Sequence, residues 1–190
     1  MDSIILGIIG VVLIISYLWY ASLILKRNNV RGSLSGIDVQ LKKRSDLIPN
    51  ILAVAKKFMQ HEMEIMKEIT GLRTQVDKKY DPNNITEVKN HFADSELLAN
   101  KLGQFMMSVE NYPDLKSNQA MIEVIQSLNE VEAQLTAARR FYNSTVTALN
   151  NTIQIFPGNL IAKLANIQEL PFYQTDEASK APINTSEFLS

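Results

Sequence analysis

The chain has 190 residues, with 19 Lys or Arg and 20 Asp or Glu, so its net charge is −1. This balance argues against a general nucleic-acid binder, which would carry a basic excess. The chain contains no cysteine, which excludes disulfides, a thiolate nucleophile and thiolate-ligated metal centres. With only 7 glycines and 6 prolines, the composition favours a helical protein over a β-rich or low-complexity one.

An uncharged apolar segment runs from Ile4 to Leu25. At about 1.5 Å per residue, a helix of this length spans the roughly 30 Å hydrocarbon core of a bilayer. Tyr17, Trp19 and Tyr20 lie near its C-terminal end, where aromatic rings favour the lipid–water interface. We therefore predict a single transmembrane helix. The alternative is a cleaved signal peptide, which would need a basic N-terminal region and a small-residue cleavage site that this segment lacks.

Basic residues follow the apolar segment, whereas only Asp2 is charged on its other side. The positive-inside rule therefore predicts an external N-terminus and a cytoplasmic body. Lys26, Arg27 and Arg31 are the basic residues in question, and they are also candidates for contact with anionic lipid. The alternative is an ordinary solvated helix face that carries the topology signal.

The first stretch of the body has apolar residues at alternating spacings of three and four from Leu34 to Val76, which is typical of a long packed helix. Pro49 interrupts this seam, so we predict a kink or a new helix start there. Asp46 lies three residues earlier and is a candidate cap for a restarted helix. Asn84 follows a breaker cluster and has Glu87 three residues later, which predicts the start of the second helix.

Two further apolar stripes, over residues 88–109 and 121–153, predict the second and third bundle helices. A short amphipathic helix is expected over 159–167. The predicted fold is all-α, with an N-terminal transmembrane helix, an antiparallel up-down-up bundle of long helices and a short C-terminal amphipathic helix. The predicted boundaries are an external tail 1–3, a span 4–25, a juxtamembrane linker 26–33, a cytoplasmic bundle 34–173 and a polar flexible tail 174–190.

Catalytic motifs are incomplete in this sequence. His61-Glu62 begins like a zinc-protease helix, but Ile65 occupies the position of the second histidine. The segment 32–36 resembles a nucleophile elbow, yet Leu34 stands where the serine is required. No Gly-rich phosphate loop is evident. We therefore predict no catalytic residues, no metal, no cofactor and no small-molecule substrate.

Charged residues interrupt the apolar seams at Arg44, Glu62, Glu132 and Arg139. Buried charges need partners, so we expect these residues to pair across the bundle. With the first and third helices parallel, a rough register predicts that Glu62 meets Arg139. The alternative is that the long side chains extend outward at the seam edge. In both cases the expected role is to fix register or mark an interface.

The run IDVQLKKRSDLIPN at 37–50 resembles the signature of the LemA family. Further similarity follows in the right order, in ENYPDLKSN at 110–118, ARRFYN at 138–143, FPGNLIA at 156–162 and PFY at 171–173. One departure is Asn166-Ile167, where relatives often have Gly-Phe. The motif residues Asn111, Tyr112, Pro113 and Asp114 are read as a turn in which Tyr112 plugs the bundle end, in preference to a partner-binding site.

The resemblance implies a bacterial inner-membrane protein with an external N-terminus and a cytoplasmic helical bundle. Some relatives are encoded beside membrane metalloproteases or TPM-domain proteins, and some act in magnetosome membranes. It implies no established catalytic residues.

The function we expect is that of a membrane-anchored, non-catalytic scaffold or adaptor with a protein partner, linked to membrane-protein quality control. The alternative is a self-assembling, membrane-organising homo-oligomer, and an enzyme is the weakest third. Several methionines follow the apolar seams, namely Met59, Met63, Met66, Met106 and Met107. They are expected either to fill the core or to form an adaptable surface for a partner.

Overall fold

The computed structural model describes residues 2–173, and the predicted tail 174–190 lies outside them. All regular structure in that range is helical, which confirms the predicted all-α class. The helices are α1 (Asp2–Ala55), α2 (Met63–Val76), α3 (Ile85–Val109), α4 (Pro113–Lys116), α5 (Gln119–Gln154) and α6 (Gly158–Leu164).

Helix α1 has two parts with different surroundings. Its large apolar side chains from Ile4 to Leu18 are all exposed, as expected of a segment that packs against lipid rather than protein. Leu23 and Val30 are buried against the bundle. Residues 26–33 continue the same helix in place of the predicted linker, because α5 packs against them.

The new helix start that was one of the two alternatives predicted at Pro49 does not occur. Helix α1 passes through Pro49 and ends at Ala55. The ring of Pro49 lies on the exposed side of α1, so it displaces no core side chain. Asp46 does not cap a new helix, because its carboxylate pairs with Lys42 at 2.8 Å. The helix ends where the backbone N–H groups of Phe58 and Met59 both donate to the Ala55 carbonyl at 2.9 Å.

Residues 56–62 reverse the chain, so the stretch 34–76 forms two helices rather than one. The side chain of Met59 is fully buried in this turn. Helix α2 then runs back along α1, with Arg73 Nε 3.2 Å from Ser45 Oγ. No Gly or Pro stands in the segment 56–62, and the apolar spacing continues through it. Periodicity therefore gave no signal of the reversal.

The long helices alternate in direction. Helix α3 returns antiparallel to α2, with Lys101 and Glu68 paired at 2.7 Å. Helix α5 runs antiparallel to α1, with Ser33 Oγ and Thr145 Oγ1 2.8 Å apart. The most extensive helix contacts are within two pairs, α1 with α5 and α2 with α3.

Asparagine side chains begin two of these helices. As predicted, Asn84 caps α3 and accepts from the N–H groups of Thr86 and Glu87. Asn118 caps α5 in the same way. In these positions an amide oxygen satisfies backbone donors that have no partner within the helix.

The segment after α6 is held along α5 by two asparagines. Asn150 donates to the carbonyl of Leu170 and accepts from its N–H, both at 3.0 Å. Asn143 likewise donates to the carbonyl of Tyr173 at 2.9 Å and accepts from its N–H at 2.8 Å. Each amide side chain thus forms two hydrogen bonds with the backbone of one residue, as a residue on a neighbouring strand would. Sequence reasoning missed both residues, since an asparagine on a helix gives no sign of such a partner.

Candidate functional site

A buried charge lies where the α2–α3 pair meets the α1–α5 pair. Arg44 is fully buried. Its Nη2 donates to the Ser95 carbonyl at 2.9 Å, and its Nη1 lies 3.3 Å from the Glu132 carboxylate. Within residues 2–173 its Nε has no hydrogen-bond partner. The guanidinium is therefore desolvated and incompletely compensated, which is costly in a protein interior.

Arg139 on α5 forms a second polar contact, with α3 and with the segment after α6. It lies 3.3 Å from Glu96 and donates to the hydroxyl of Tyr173 at 2.9 Å. Its guanidinium carbon also stands 4.3 Å from the centre of the Tyr173 ring, a distance typical of a cation–π contact.

The predicted pairing of Glu62 with Arg139 is therefore wrong. Glu62 occupies the half-buried position that precedes α2, at the chain reversal. The prediction assumed that α1 and the last long helix run parallel. The additional reversal at 56–62 makes α5 antiparallel to α1, so that Arg139 faces Glu96 on α3.

A third cluster joins the α2–α3 connection to α1. The hydroxyl of Tyr80 lies 3.0 and 3.1 Å from the two carboxylate oxygens of Asp38. His91 Nε2 stands 3.3 Å from the same carboxylate, and its ring stacks on Tyr80 at 4.3 Å. Burial, and next the Asp38 charge, raise the pKa of Tyr80. The phenol therefore stays protonated and acts as a hydrogen-bond donor rather than a nucleophile.

This cluster was not predicted, although Asp38 belongs to the run 37–50. The three residues are far apart in sequence, and only the reversal at 56–62 brings them together. They border a shallow cleft of about 340 Å³ that Leu41 and Val76 also line. The arrangement fixes the α2–α3 connection to α1.

The three juxtamembrane basic residues all contact or border the body of the protein. Lys26 donates to the hydroxyl of Thr152 on α5. Arg31 donates to the side chain of Asn83 in the α2–α3 connection. Arg27 and Arg31 line a cleft of about 270 Å³ together with residues 166–168. Their charges therefore lie at the end of the bundle from which the apolar part of α1 emerges.

The motif at 111–114 forms the connection after α3. Pro113 takes the first position of α4, where its missing N–H group is not needed. Leu115 is fully buried at this end, and the half-buried Tyr112 packs against the core. Asn111 and Asp114 are exposed.

The methionines divide between two environments. Met59 and Met66 are buried in the core, and Met106 packs partly against it. Met63 and Met107 are exposed, the latter to 68%. Among residues 2–173, no group of three or more His, Asp or Glu side chains is arranged to hold a metal ion.

Comparison with known proteins identifies the family. The family model described as the LemA family matches residues 33–186. The chain belongs to the LemA family. The match begins just after the uncharged segment of α1, so the membrane span rests on this chain's own residues.

Two named relatives cover most of the chain and a third covers about half of it, all at low identity. Protein LemA of Metamycoplasma hominis is 22% identical over 162 residues, which are 85% of this chain and 71% of the relative. Magnetosome protein MamQ 2 of Paramagnetospirillum magneticum is 20% identical over 190 residues, 90% of this chain and 70% of the relative. Magnetosome protein MamQ of Magnetospirillum gryphiswaldense is 24% identical over 90 residues, 47% of this chain and 33% of the relative.

None of these names describes an enzymatic activity. Together with the apolar, exposed first part of α1, the comparisons support a membrane-associated protein of the LemA family.

Proposed function

We propose that this chain is a membrane-anchored, non-catalytic scaffold that acts through protein–protein contacts on the cytoplasmic face of the bacterial inner membrane. The observation that carries the proposal is the continuity of α1 from the apolar span into the bundle. One helix supplies both the anchor and the surface on which α5 packs. The bundle is therefore held at a fixed height above the bilayer.

A fixed position has a direct consequence for binding. A surface tethered at a set height meets other membrane proteins at a high effective concentration. A weak contact is then sufficient for association, so that a large binding site is not required. This favours an adaptor for a second membrane protein, such as a component of membrane-protein quality control.

Candidate contact residues lie on the outer faces of α3 and α5. Met107 and Phe141 are exposed to 68% and 63%. Both are residue types enriched in protein interfaces, and neither is needed to fill the core. The cytoplasmic orientation rests on the positive charges that follow the span.

A second candidate function is self-assembly into a membrane-organising homo-oligomer. The similarity to proteins named for the magnetosome, over 90% of the chain, favours this alternative. In that case the exposed residues of α3 and α5 would contact further copies of the same chain.

In-cell photo-cross-linking tests both candidates. A photoreactive amino acid replaces Phe141 in the full-length chain, and the exposed polar Gln75 on α2 provides the matched control. The scaffold proposal expects a discrete adduct with another membrane protein from position 141 and none from position 75. Adducts with the same chain alone would favour self-assembly. Equal labelling at the two positions would contradict a specific contact at this surface.

A further inference from the structure

A group of apolar side chains is exposed at the end of the bundle nearest the span. We call this group the α6 edge. Its members are Ile155, Phe156, Leu160 and Leu164, which are 57%, 72%, 56% and 89% exposed. The opposite side of α6 is also apolar, since Ala162 is buried and Ile161 packs on the core. One face of this short helix thus serves the fold, whereas the other has no partner within residues 2–173.

The register between α1 and α5 fixes the position of the α6 edge along the axis of α1, and so its position relative to the span. Lys26 contacts Thr152, and the chain beyond Thr152 continues toward the N-terminal part of α1. Ile155 and Leu18 line one shallow cleft. A Cβ atom built on Gly158 would stand 3.4 Å from the ring of Trp19. The start of α6 therefore lies beside Trp19.

Trp19 belongs to the uncharged segment of α1 and precedes Lys26 by about 10 Å along the helix, at 1.5 Å per residue. Interfacial helices insert their apolar face about 5–10 Å into the boundary between headgroups and acyl chains. The start of α6, beside Trp19, lies within this range of depths when Lys26 is at the headgroups.

Charge at this end of the molecule agrees with contact to lipid. No Asp or Glu occurs in residues 3–37 of α1 or in residues 133–168 of α5 and α6. Lys26, Arg27 and Lys163 are the nearby basic residues. Glu169 is an acidic neighbour, since its carboxylate accepts from the Gln154 side chain at 3.1 Å. With three basic groups against this one carboxylate, the surface carries a net positive charge, which is attracted to anionic headgroups. A site for a soluble partner would not require this alignment with the span.

We infer that residues 155–164 form a second membrane contact, in which the α6 edge inserts into the cytoplasmic leaflet beside the spanning helix. The bundle is then held by two elements, so that it cannot rotate freely about the axis of α1. This inference depends on the span and not on the proposed scaffold function.

Fluorescent labelling of single cysteines tests the inference, since the natural chain has none. The full-length Leu160→Cys variant carries an environment-sensitive dye in nanodiscs of phosphatidylcholine and phosphatidylglycerol. The matched control is Leu97→Cys on α3, where the natural side chain is 53% exposed against 56% for Leu160. Two quenchers are compared, aqueous iodide and a lipid with a nitroxide on its acyl chain.

We expect the nitroxide lipid to remove most of the fluorescence at position 160 and little at position 97, with the opposite order for iodide. Equal iodide quenching at both positions would overturn the inference, because the α6 edge would then be in water. Protection from iodide without quenching by the nitroxide lipid would also overturn it, because protein rather than lipid would cover the edge. Circular dichroism of both variants confirms that the helical fold is retained.

Discussion

Two replacements of Arg44 separate the energetic effect of its buried charge from that of the volume that its side chain fills. Arg44→Ala removes the charge and leaves a cavity in a fully buried position. Arg44→Met removes the same charge but retains most of the volume of the side chain. The two variants therefore differ chiefly in packing.

The magnitudes follow from the contacts of Arg44. Its acidic partner Glu132 is 39% exposed, so loss of the pair leaves that carboxylate able to hydrate. The cost of Arg44→Ala then comes mainly from the cavity, at about 2–5 kcal/mol for a large buried side chain. Replacing a buried ion pair with apolar groups is often neutral or stabilising. Since Nε has no partner, we expect Arg44→Met to lie within about 1 kcal/mol of the natural protein.

Thermal unfolding of the full-length protein in detergent, followed by circular dichroism, measures these differences. A chain of this size loses about 2–4 °C of melting temperature per kcal/mol, so a cost of about 2–5 kcal/mol should lower the melting temperature of Arg44→Ala by about 4–20 °C. The exposed Glu130→Gln on α5 controls for a change in surface charge. If Arg44→Met is as unstable as Arg44→Ala, the hydrogen bonds of the guanidinium outweigh its desolvation, and the reasoning is refuted.

Three further predictions use the same assay. Gly158→Ala places a Cβ 1.9 Å from the Thr152 carbonyl oxygen and should destabilise the protein by about 1–3 kcal/mol. The control Gly103→Ala, in open space on α3, should stabilise it by about 0.5–1 kcal/mol. Equal shifts in melting temperature for the two variants would argue against the close approach at Gly158. Asn166 has φ of 51° at the end of α6, so Asn166→Gly should raise the melting temperature slightly, and a decrease would contradict strain there. Burial raises the pKa of Tyr142 above that of an unfolded tyrosine. The contribution of this shift to the free energy of unfolding is therefore complete below about pH 10 and declines above it by up to about 1.4 kcal/mol per pH unit. Tyr142→Phe should flatten this alkaline decline, and an unchanged slope would contradict the raised pKa of Tyr142.

The sequence predicted the core faces of the helices well, because burial follows amphipathic spacing. Leu34, Leu135 and Val146, for example, lie on predicted stripes and are buried. The new helix start considered at Pro49 was wrong. Proline usually interrupts a helix, yet Pro49 lies on the exposed side of a well-packed helix, where its cost of about 3 kcal/mol is outweighed by tertiary contacts.

The chain reversal is the error with the widest consequences. Nothing in the composition of residues 56–62 distinguishes a turn from a helix, and the reversal changes which helices are parallel. The Arg139 partner was therefore assigned to the wrong helix, and the cluster of Asp38, Tyr80 and His91 was missed. Sites made by residues distant in sequence depend on topology, which periodicity alone does not determine.

The mass of the full-length protein in nanodiscs, measured by light scattering, tests the scaffold account most directly. An adaptor for a different membrane protein should be present as a single chain when that partner is absent. A defined oligomer that the surface substitution Phe141→Glu converts to single chains would contradict the account. It would assign the exposed face of α5 to self-assembly.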